Sequence, residues 1–95
     1  MKKDIKITYL KKAVKFLDKN RNTIKESDVD SLMILAIRKK IFLEDISLDI
    51  KELKGSLLGK SRVRKGKVRI IFEILVDEII IESIVEDIDF RGNIY

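Results

Sequence analysis

The sequence predicts an α+β domain in which two helices pack on one antiparallel sheet, in the chain order β-α-α-β-β-β. Apolar residues recur at helical spacing between Leu10 and Lys40, whereas after Gly55 they form the short runs and alternations typical of strands. The 95 residues include no proline, no internal repeat and no low-complexity linker. We therefore expect residues 1–95 to form one domain.

The N-terminal part predicts one strand and one helix. Ile5 to Thr8 are assigned to a short strand. An apolar helical stripe follows, made of Leu10, Ala13, Val14 and Leu17. This helix is expected to end near Asn20, a residue that tolerates the left-handed conformation of a helix C-cap.

The second helix has two candidate starting points. Thr23 to Glu26 has the spacing of a capping box, with Thr at the N-cap and Glu at N3, and Ser27-Asp28 offers a later start. The apolar stripe of this helix consists of Val29, Leu32, Met33, Ala36 and Ile37. Residues 38–40 are all basic and suit the negative end of the helix dipole, so the helix is expected to end there.

Three strands are predicted after Gly55. They are Ser61 to Lys65, Val68 to Val76 and Ile79 to Val85, with a turn at Asp77-Glu78 between the last two. The third strand is nearly all apolar, which predicts a central strand that is covered on both faces. Residues 41–50 show no period that decides between helix and strand.

The basic ribbon, residues 60–69, is the strongest clue to function, because six of its ten residues are basic and none is acidic. Polar and apolar residues alternate on both sides of Gly66, a pattern that predicts a β-hairpin. The plainest interpretation of such a ribbon is a solvated charged face. Its strand pairing argues for a ligand instead.

Pairing within the hairpin sets like charges against each other. With the loop at Lys65-Gly66, Arg64 faces Lys67 and Arg62 faces Arg69, all on one face. Like charges directly opposite each other destabilise a sheet. This face is therefore expected to need a polyanion or nearby carboxylates.

Acidic residues dominate the next part of the chain, where residues 70–90 include seven acids and no base. Glu73 would share the face of Arg69, so a structural alternative is that the two simply pair. The acidic residues 86, 87 and 89 are surface charges, counterions for Arg91, or oxygen ligands of a hard cation such as magnesium. We predict no bound metal and no cofactor.

Composition excludes several classes of site. The chain has no cysteine, which rules out disulfides and thiolate metal sites, and no histidine, the usual general base. The net charge of +5 favours an acidic partner such as nucleic acid or an acidic protein segment. No apolar run approaches the roughly 20 residues of a membrane span, and no signal peptide is evident. We expect a cytoplasmic protein without a membrane partner.

Four stretches, in order and at matching spacings, resemble the RelE/ParE superfamily of bacterial and archaeal type II toxins. They are Ala13–Leu17, Asp49–Gly55, the hairpin and strand Arg62–Ile74 with its R-x-G-x-x-R pattern, and the ending Arg91–Tyr95. The resemblance covers nearly the whole chain. It implies the toxin of a type II toxin–antitoxin system and a RelE-like fold.

The superfamily has two functional branches. The RelE-like branch consists of ribosome-dependent endoribonucleases that cut messenger RNA, and the ParE-like branch poisons DNA gyrase. In both, an antitoxin wraps around the toxin and neutralises it. The resemblance implies as partners a cognate antitoxin, expected to be acidic and partly disordered, together with mRNA and the ribosome, and no small-molecule substrate.

The resemblance also places functional residues, because five positions fall where the RNA-cutting branch keeps its active basic residues and terminal tyrosine. These are Arg62, Arg64, Arg69, Arg91 and Tyr95. We expect Arg69 and Arg91 to bind the scissile phosphate and Tyr95 to act as the base or as a stacking platform. These three residues are the expected catalytic set. The residues expected to bind flanking phosphates are Lys60, Arg62, Arg64 and Lys67.

The chemistry expected of this site is metal-free RNA cleavage, in which a ribose 2′-hydroxyl attacks the adjacent phosphorus. It needs a base, cations for the phosphorane and an acid for the leaving oxygen. Arginine holds phosphate oxygens well but is a poor base. The pKa of a tyrosine, near 10 when unperturbed, is lowered by neighbouring arginines.

The sequence departs from the family at two places. Asp89-Phe90 stands where the family often has Gly-His or Gly-Lys, and some members have Lys in place of Arg62 and Arg64. Other functions therefore stay open. The alternatives are a toxin with weakened or lost activity, a ParE-like gyrase inhibitor on the same scaffold, and a non-enzymatic module that binds RNA or an acidic protein.

Overall fold

A computed structural model describes residues 3–90 and confirms the α+β architecture, with two helices on one sheet. The helices are α1, Lys11–Lys19, and α2, Glu26–Lys40. The strands are β1, Asp4–Tyr9; β2, Ile50–Glu52; β3, Ser61–Lys65; β4, Val68–Val76; and β5, Ile80–Phe90. A short 3₁₀ turn at Gly55–Leu57 precedes β3.

The sheet is mixed, so the expectation of a purely antiparallel sheet is wrong. Its strand order is β1-β5-β4-β3-β2, and β1 runs parallel to β5 while the other three pairs are antiparallel. A parallel pair needs a long crossover connection rather than a hairpin, and here α1 and α2 belong to that connection.

The fifth strand, β2, is a feature that the sequence pattern missed. It contains only three residues and begins at the end of the ambiguous segment 41–50. Pairing with β3, in which Ile50 lies opposite Val63, holds it in the sheet. Three residues are too few to show a period of two, so its pairing partner, rather than its own pattern, makes it a strand.

The second helix starts at neither predicted position. The backbone N–H groups of Thr23 and Ile24 donate to the carbonyl of Asn20, at 2.9 and 3.1 Å, and are thereby held in the turn that ends α1. Helix α2 begins after Lys25, whose N–H donates to the Asp28 carboxylate at 2.9 Å. Asn20 ends α1 as predicted, although its φ of −126° is not left-handed.

The hydrophobic core lies between the helices and one face of the sheet. The whole predicted stripe of α2 is buried there, against apolar side chains such as Val63, Ile70 and Phe72. The other face, here called the open face, carries the half-buried or charged side chains that alternate with them. Strand β5 is internal as predicted, but its alternating burial shows that only one of its faces enters the core.

A β-bulge decides which residues of β5 reach the open face. Phe72 pairs with Val85 but Ile71 pairs with Asp87, so Glu86 is an extra residue in β5. The alternation of β5 is thereby reversed, and Ile88 enters the core. The acidic residues 87 and 89 consequently face the same side of the sheet as the odd-numbered residues of β4.

Neither helix in residues 3–90 has the length and apolar character that a membrane-spanning helix needs.

Tyr9 connects the end of β1 to the start of α2. Its hydroxyl donates to the carboxylate of Asp30 and lies 3.2 Å from the carbonyl oxygen of Glu26. Burial raises the pKa of Tyr9 far above its ordinary value of 10, and the hydrogen bond and charge of Asp30 add to the rise. The folded protein therefore keeps this phenol protonated.

Stability should consequently fall at alkaline pH because of Tyr9. The contribution of the protonated Tyr9 phenol to the free energy of unfolding is fully present below the unfolded pKa of 10. It is lost as the pH rises from there towards the raised folded value, because only the unfolded chain then ionises this phenol. Urea unfolding between about pH 8 and 11 should show a steeper loss for the wild type than for Tyr9→Phe. Tyr95→Phe is the matched control, and parallel curves for the wild type and Tyr9→Phe would contradict the prediction.

Candidate nucleic-acid interface

The β3–β4 hairpin has a different register from the one predicted. The two loop residues are Gly66 and Lys67, since Lys65 pairs with Val68. Gly66 has a φ of +57°, which a two-residue hairpin turn requires and glycine adopts without strain. Lys67 therefore lies in the exposed loop and faces no arginine.

The pairs of like charge change accordingly. Arg64 lies directly opposite Arg69, and Arg62 lies opposite Ile71. On its other side Arg69 pairs with Asp89 of β5. One row across three strands of the open face thus consists of Arg64, Arg69 and Asp89, here called the arginine row.

Asp89 holds Arg69 through two hydrogen bonds. The Nε of Arg69 donates to Oδ1 at 3.0 Å and Nη2 donates to Oδ2 at 2.7 Å, with side chains that are 22% and 31% exposed. Paired, partly buried forks of this kind are among the stronger ion pairs in proteins. Glu73, which the sequence offered as a partner of Arg69, is close enough to Lys60 for its charge to raise the pKa of that lysine.

Two further cations of the basic ribbon are also bound to carboxylates. Arg62 is only 8% exposed, and its Nη1 lies 3.1 Å from Oδ1 of Asp49, the residue before β2. The Nζ of Lys60 lies 2.5 Å from Oε1 of Glu86, and this hydrogen bond raises the pKa of Lys60. Three of the four ribbon cations that are not fully exposed are therefore compensated by the chain's own carboxylates.

Arg64 is the exception in the ribbon. Its Nε is buried and has no hydrogen-bond partner within the part of the chain that the structure describes. A buried donor without a partner costs about 1–3 kcal/mol. An anion that bound at the arginine row would supply the missing acceptor if the Arg64 side chain turned to expose this nitrogen.

The described residues contain no cluster of acidic side chains that could bind a metal ion: across residues 3–90, no three of them converge in a way that would hold one. Glu86 and Asp89, two of the three candidate ligands, are bound to Lys60 and Arg69.

Sequence reasoning missed a second group of cations. A cavity of about 510 Å³ is lined by Leu10, Lys11, Lys12, Leu57, Lys60, Ile71, Glu86 and Asp87. Pairing of β1 with β5, extended by the N–H of Leu10 donating to the Val85 carbonyl at 2.9 Å, brings the start of α1 to the bulge. Lys11 and Lys60 are far apart in the chain, so no local pattern indicates that they share a cavity.

Two of the predicted catalytic residues, Arg91 and Tyr95, lie outside the described residues. Their roles stay predictions. The other predicted residues fall into three environments: an unpartnered donor at Arg64, carboxylate pairs at Lys60, Arg62 and Arg69, and an exposed loop at Lys67.

Comparison with known proteins identifies the fold. No protein-family model and no curated protein matches the sequence. YafQ from E. coli strain BL21(DE3) matches the structure with a TM-score of 0.60 and 16% identity, over 99% of each chain. A YoeB/ParE toxin from Agrobacterium tumefaciens matches with a TM-score of 0.63 and 15% identity, over 90% of this chain and 98% of that one.

The chain has the fold of the RelE/ParE toxins. A third match is the RelB–RelE antitoxin–toxin complex from Methanococcus jannaschii, with a TM-score of 0.53 and 21% identity over 93% of this chain. The resemblance that the sequence suggested is thereby confirmed at the level of architecture. Within the RelE/ParE fold, the arginine row and the bulge are properties of this chain's own residues.

Asp89→Asn should destabilise the fold by about 1–2 kcal/mol, because Arg69 would then face Arg64 without a full counter-charge. The penalty should be smaller when Arg64 is already replaced by Met, and urea unfolding of the four proteins in this double-mutant cycle measures the difference. Glu44→Gln is the matched control, since it removes the exposed Arg38–Glu44 pair and should destabilise the fold less than Asp89→Asn does. Equal penalties in both backgrounds would show that the two arginines do not interact.

Proposed function

We propose that this protein is the toxin of a type II toxin–antitoxin system and that it cleaves mRNA on the ribosome. The observation that carries the proposal is the Arg64–Arg69 pair on the open face of a RelE/ParE fold. Two arginines directly opposite each other, one with a buried unpartnered donor, favour binding of a phosphate.

In the proposed reaction the arginine row binds the scissile phosphate. Arg64 donates its Nε to a phosphate oxygen, and Arg69, oriented by Asp89, stabilises the charge of the phosphorane. The ribose 2′-oxygen loses its proton, bonds to phosphorus and expels the 5′-oxygen, which takes up a proton. The products are a 2′,3′-cyclic phosphate and a 5′-hydroxyl, with Arg91 assisting and Tyr95 as the proposed base or stacking platform.

The carboxylate pairs limit how strongly this site binds RNA. A phosphate that approaches Arg69, Arg62 or Lys60 competes with a carboxylate already in place. In the proposal these three residues position the site and contribute electrostatically, and Arg64 makes the new contact. Affinity should depend on salt, as it does whenever lysine and arginine bind phosphates.

The same carboxylate pairs favour a second candidate function. A face whose cations are neutralised internally resembles a protein-docking surface more than an RNA channel, because few net charges remain to attract a polyanion. This supports a ParE-like gyrase inhibitor as the alternative. The non-enzymatic binding module is the third candidate.

A cognate antitoxin is part of the proposal. Solved structures with this fold include antitoxin–toxin complexes from Mycobacterium tuberculosis and Methanococcus jannaschii. We propose an acidic, partly disordered partner that folds on this basic chain and covers the arginine row.

Induced expression in a bacterial host should arrest growth and produce cleaved transcripts, mapped by primer extension. Arg64→Ala should relieve the arrest and reduce cleavage about 10²–10³-fold, as expected for the loss of one transition-state donor. Arg38→Ala is the matched control, because Arg38 is an exposed, carboxylate-paired arginine on α2, and it should stay toxic. Circular dichroism checks that both variants fold.

The outcome separates the three candidates. Growth arrest with intact transcripts and gyrase-trapped double-strand breaks would overturn RNA cleavage in favour of gyrase inhibition. Normal growth on strong induction would support the non-enzymatic binding module.

A further inference from the structure

Uncompensated cations near the open face are also found outside the basic ribbon. Within residues 3–90, the side chains of Lys11 and Lys12 make no hydrogen bond or ion pair, whereas Lys60 is bound to Glu86. The first turn of α1 contains no acidic residue that would neutralise its two lysines. Net positive charge is therefore available at the start of α1.

These lysines line the 510 Å³ cavity beside the bulge. Its volume lies within the range of about 300–1,000 Å³ that is typical of small-ligand sites. Ile71 lines the cavity and is also the cross-strand neighbour of Arg62 and Asp87. The cavity consequently opens on the same sheet face as the arginine row.

Asp87 decides what kind of ligand suits the cavity. Within the described residues its carboxylate has no hydrogen bond or ion pair, so it offers an acceptor beside the two lysine donors. An RNA strand supplies both a phosphate for the lysines and a hydroxyl donor for the carboxylate. An acidic protein segment supplies carboxylates for the lysines but no ribose hydroxyl for Asp87.

We propose that this cavity is a ribonucleotide subsite, in which Lys11 and Lys12 bind a phosphate and Asp87 accepts a hydrogen bond from a ribose 2′-hydroxyl. The proposal rests on the proposed RNA function, since the bound nucleotide belongs to the strand held at the arginine row. The RNA crosses β4 from Arg64 towards the start of α1. The Asp87 contact makes the subsite selective for RNA over DNA.

Fluorescence anisotropy with labelled rU12 and dU12, between 50 and 200 mM KCl, tests the lysines. Each phosphate contact with a single strand contributes about −0.7 to the slope of log affinity against log salt. Because both lysines bind the same phosphate in this proposal, Lys11→Gln/Lys12→Gln should flatten the slope by about 0.7, so that its loss of affinity is about 2.6-fold larger at 50 than at 200 mM salt. Lys19→Gln/Lys25→Gln removes the same charge away from the cavity and should leave the slope nearly unchanged.

A separate variant tests the carboxylate. Asp87→Asn should reduce the preference for rU12 over dU12, because the amide is a weaker acceptor for the 2′-hydroxyl, while the salt slope stays the same. A preference for rU12 that survives in Asp87→Asn would overturn the role of Asp87. Circular dichroism confirms that each variant folds.

The results distinguish the subsite from the proposed function. If the wild type binds rU12 and Arg64→Ala weakens it, but the two double-lysine variants behave alike, the subsite is wrong and RNA binding stands. If the wild type does not bind rU12, the subsite is wrong, whereas the proposed cleavage on the ribosome is decided separately by primer extension after induced expression. If a twelve-residue polyglutamate peptide binds more tightly than rU12 and depends on Lys11 and Lys12, the cavity takes an acidic protein segment instead.

Discussion

The β-bulge at Glu86 is the constraint on which the chemistry of this fold depends. It reverses the alternation of β5, so that Ile88 and Phe90 lie on the side of the helices while Asp87 and Asp89 face the open side. A strict period of two would turn both carboxylates towards the core and both apolar side chains towards the open face. The bulge thus places apolar side chains of β5 in the core and, in the same strand, places the carboxylate that binds Arg69 on the open face.

Carboxylates of the same chain reduce the net positive charge of the basic ribbon. Three carboxylates bind Lys60, Arg62 and Arg69, two of them from β5 and one from the residue before β2. Of the two opposed arginines, Arg69 has a counter-charge in Asp89, whereas the buried Nε of Arg64 has no hydrogen-bond partner within the described residues. The face is therefore nearer to neutral than its sequence implies, and its capacity for anions is concentrated at Arg64 and at the start of α1.

This distribution of charge links fold to function. A RelE/ParE fold provides a sheet with one covered and one open face, and the open face is where the arginine row and the cavity lie. An RNA strand on it would meet alternating donors and acceptors rather than a uniform basic groove. Such a surface discriminates between ligands by hydrogen-bond pattern as well as by charge.

Local patterns were sufficient to predict the two helices, the core stripe of α2, four of the five strands, and the basic hairpin. They were insufficient for the parallel β1–β5 pair, the strand β2, the loop at Gly66-Lys67 and the Asp89 partner of Arg69. The physical reason is that periodicity and capping depend on neighbours along the chain. Strand register and ion pairing depend on residues such as Asp49, Glu86 and Asp89, which only the tertiary structure brings to the ribbon.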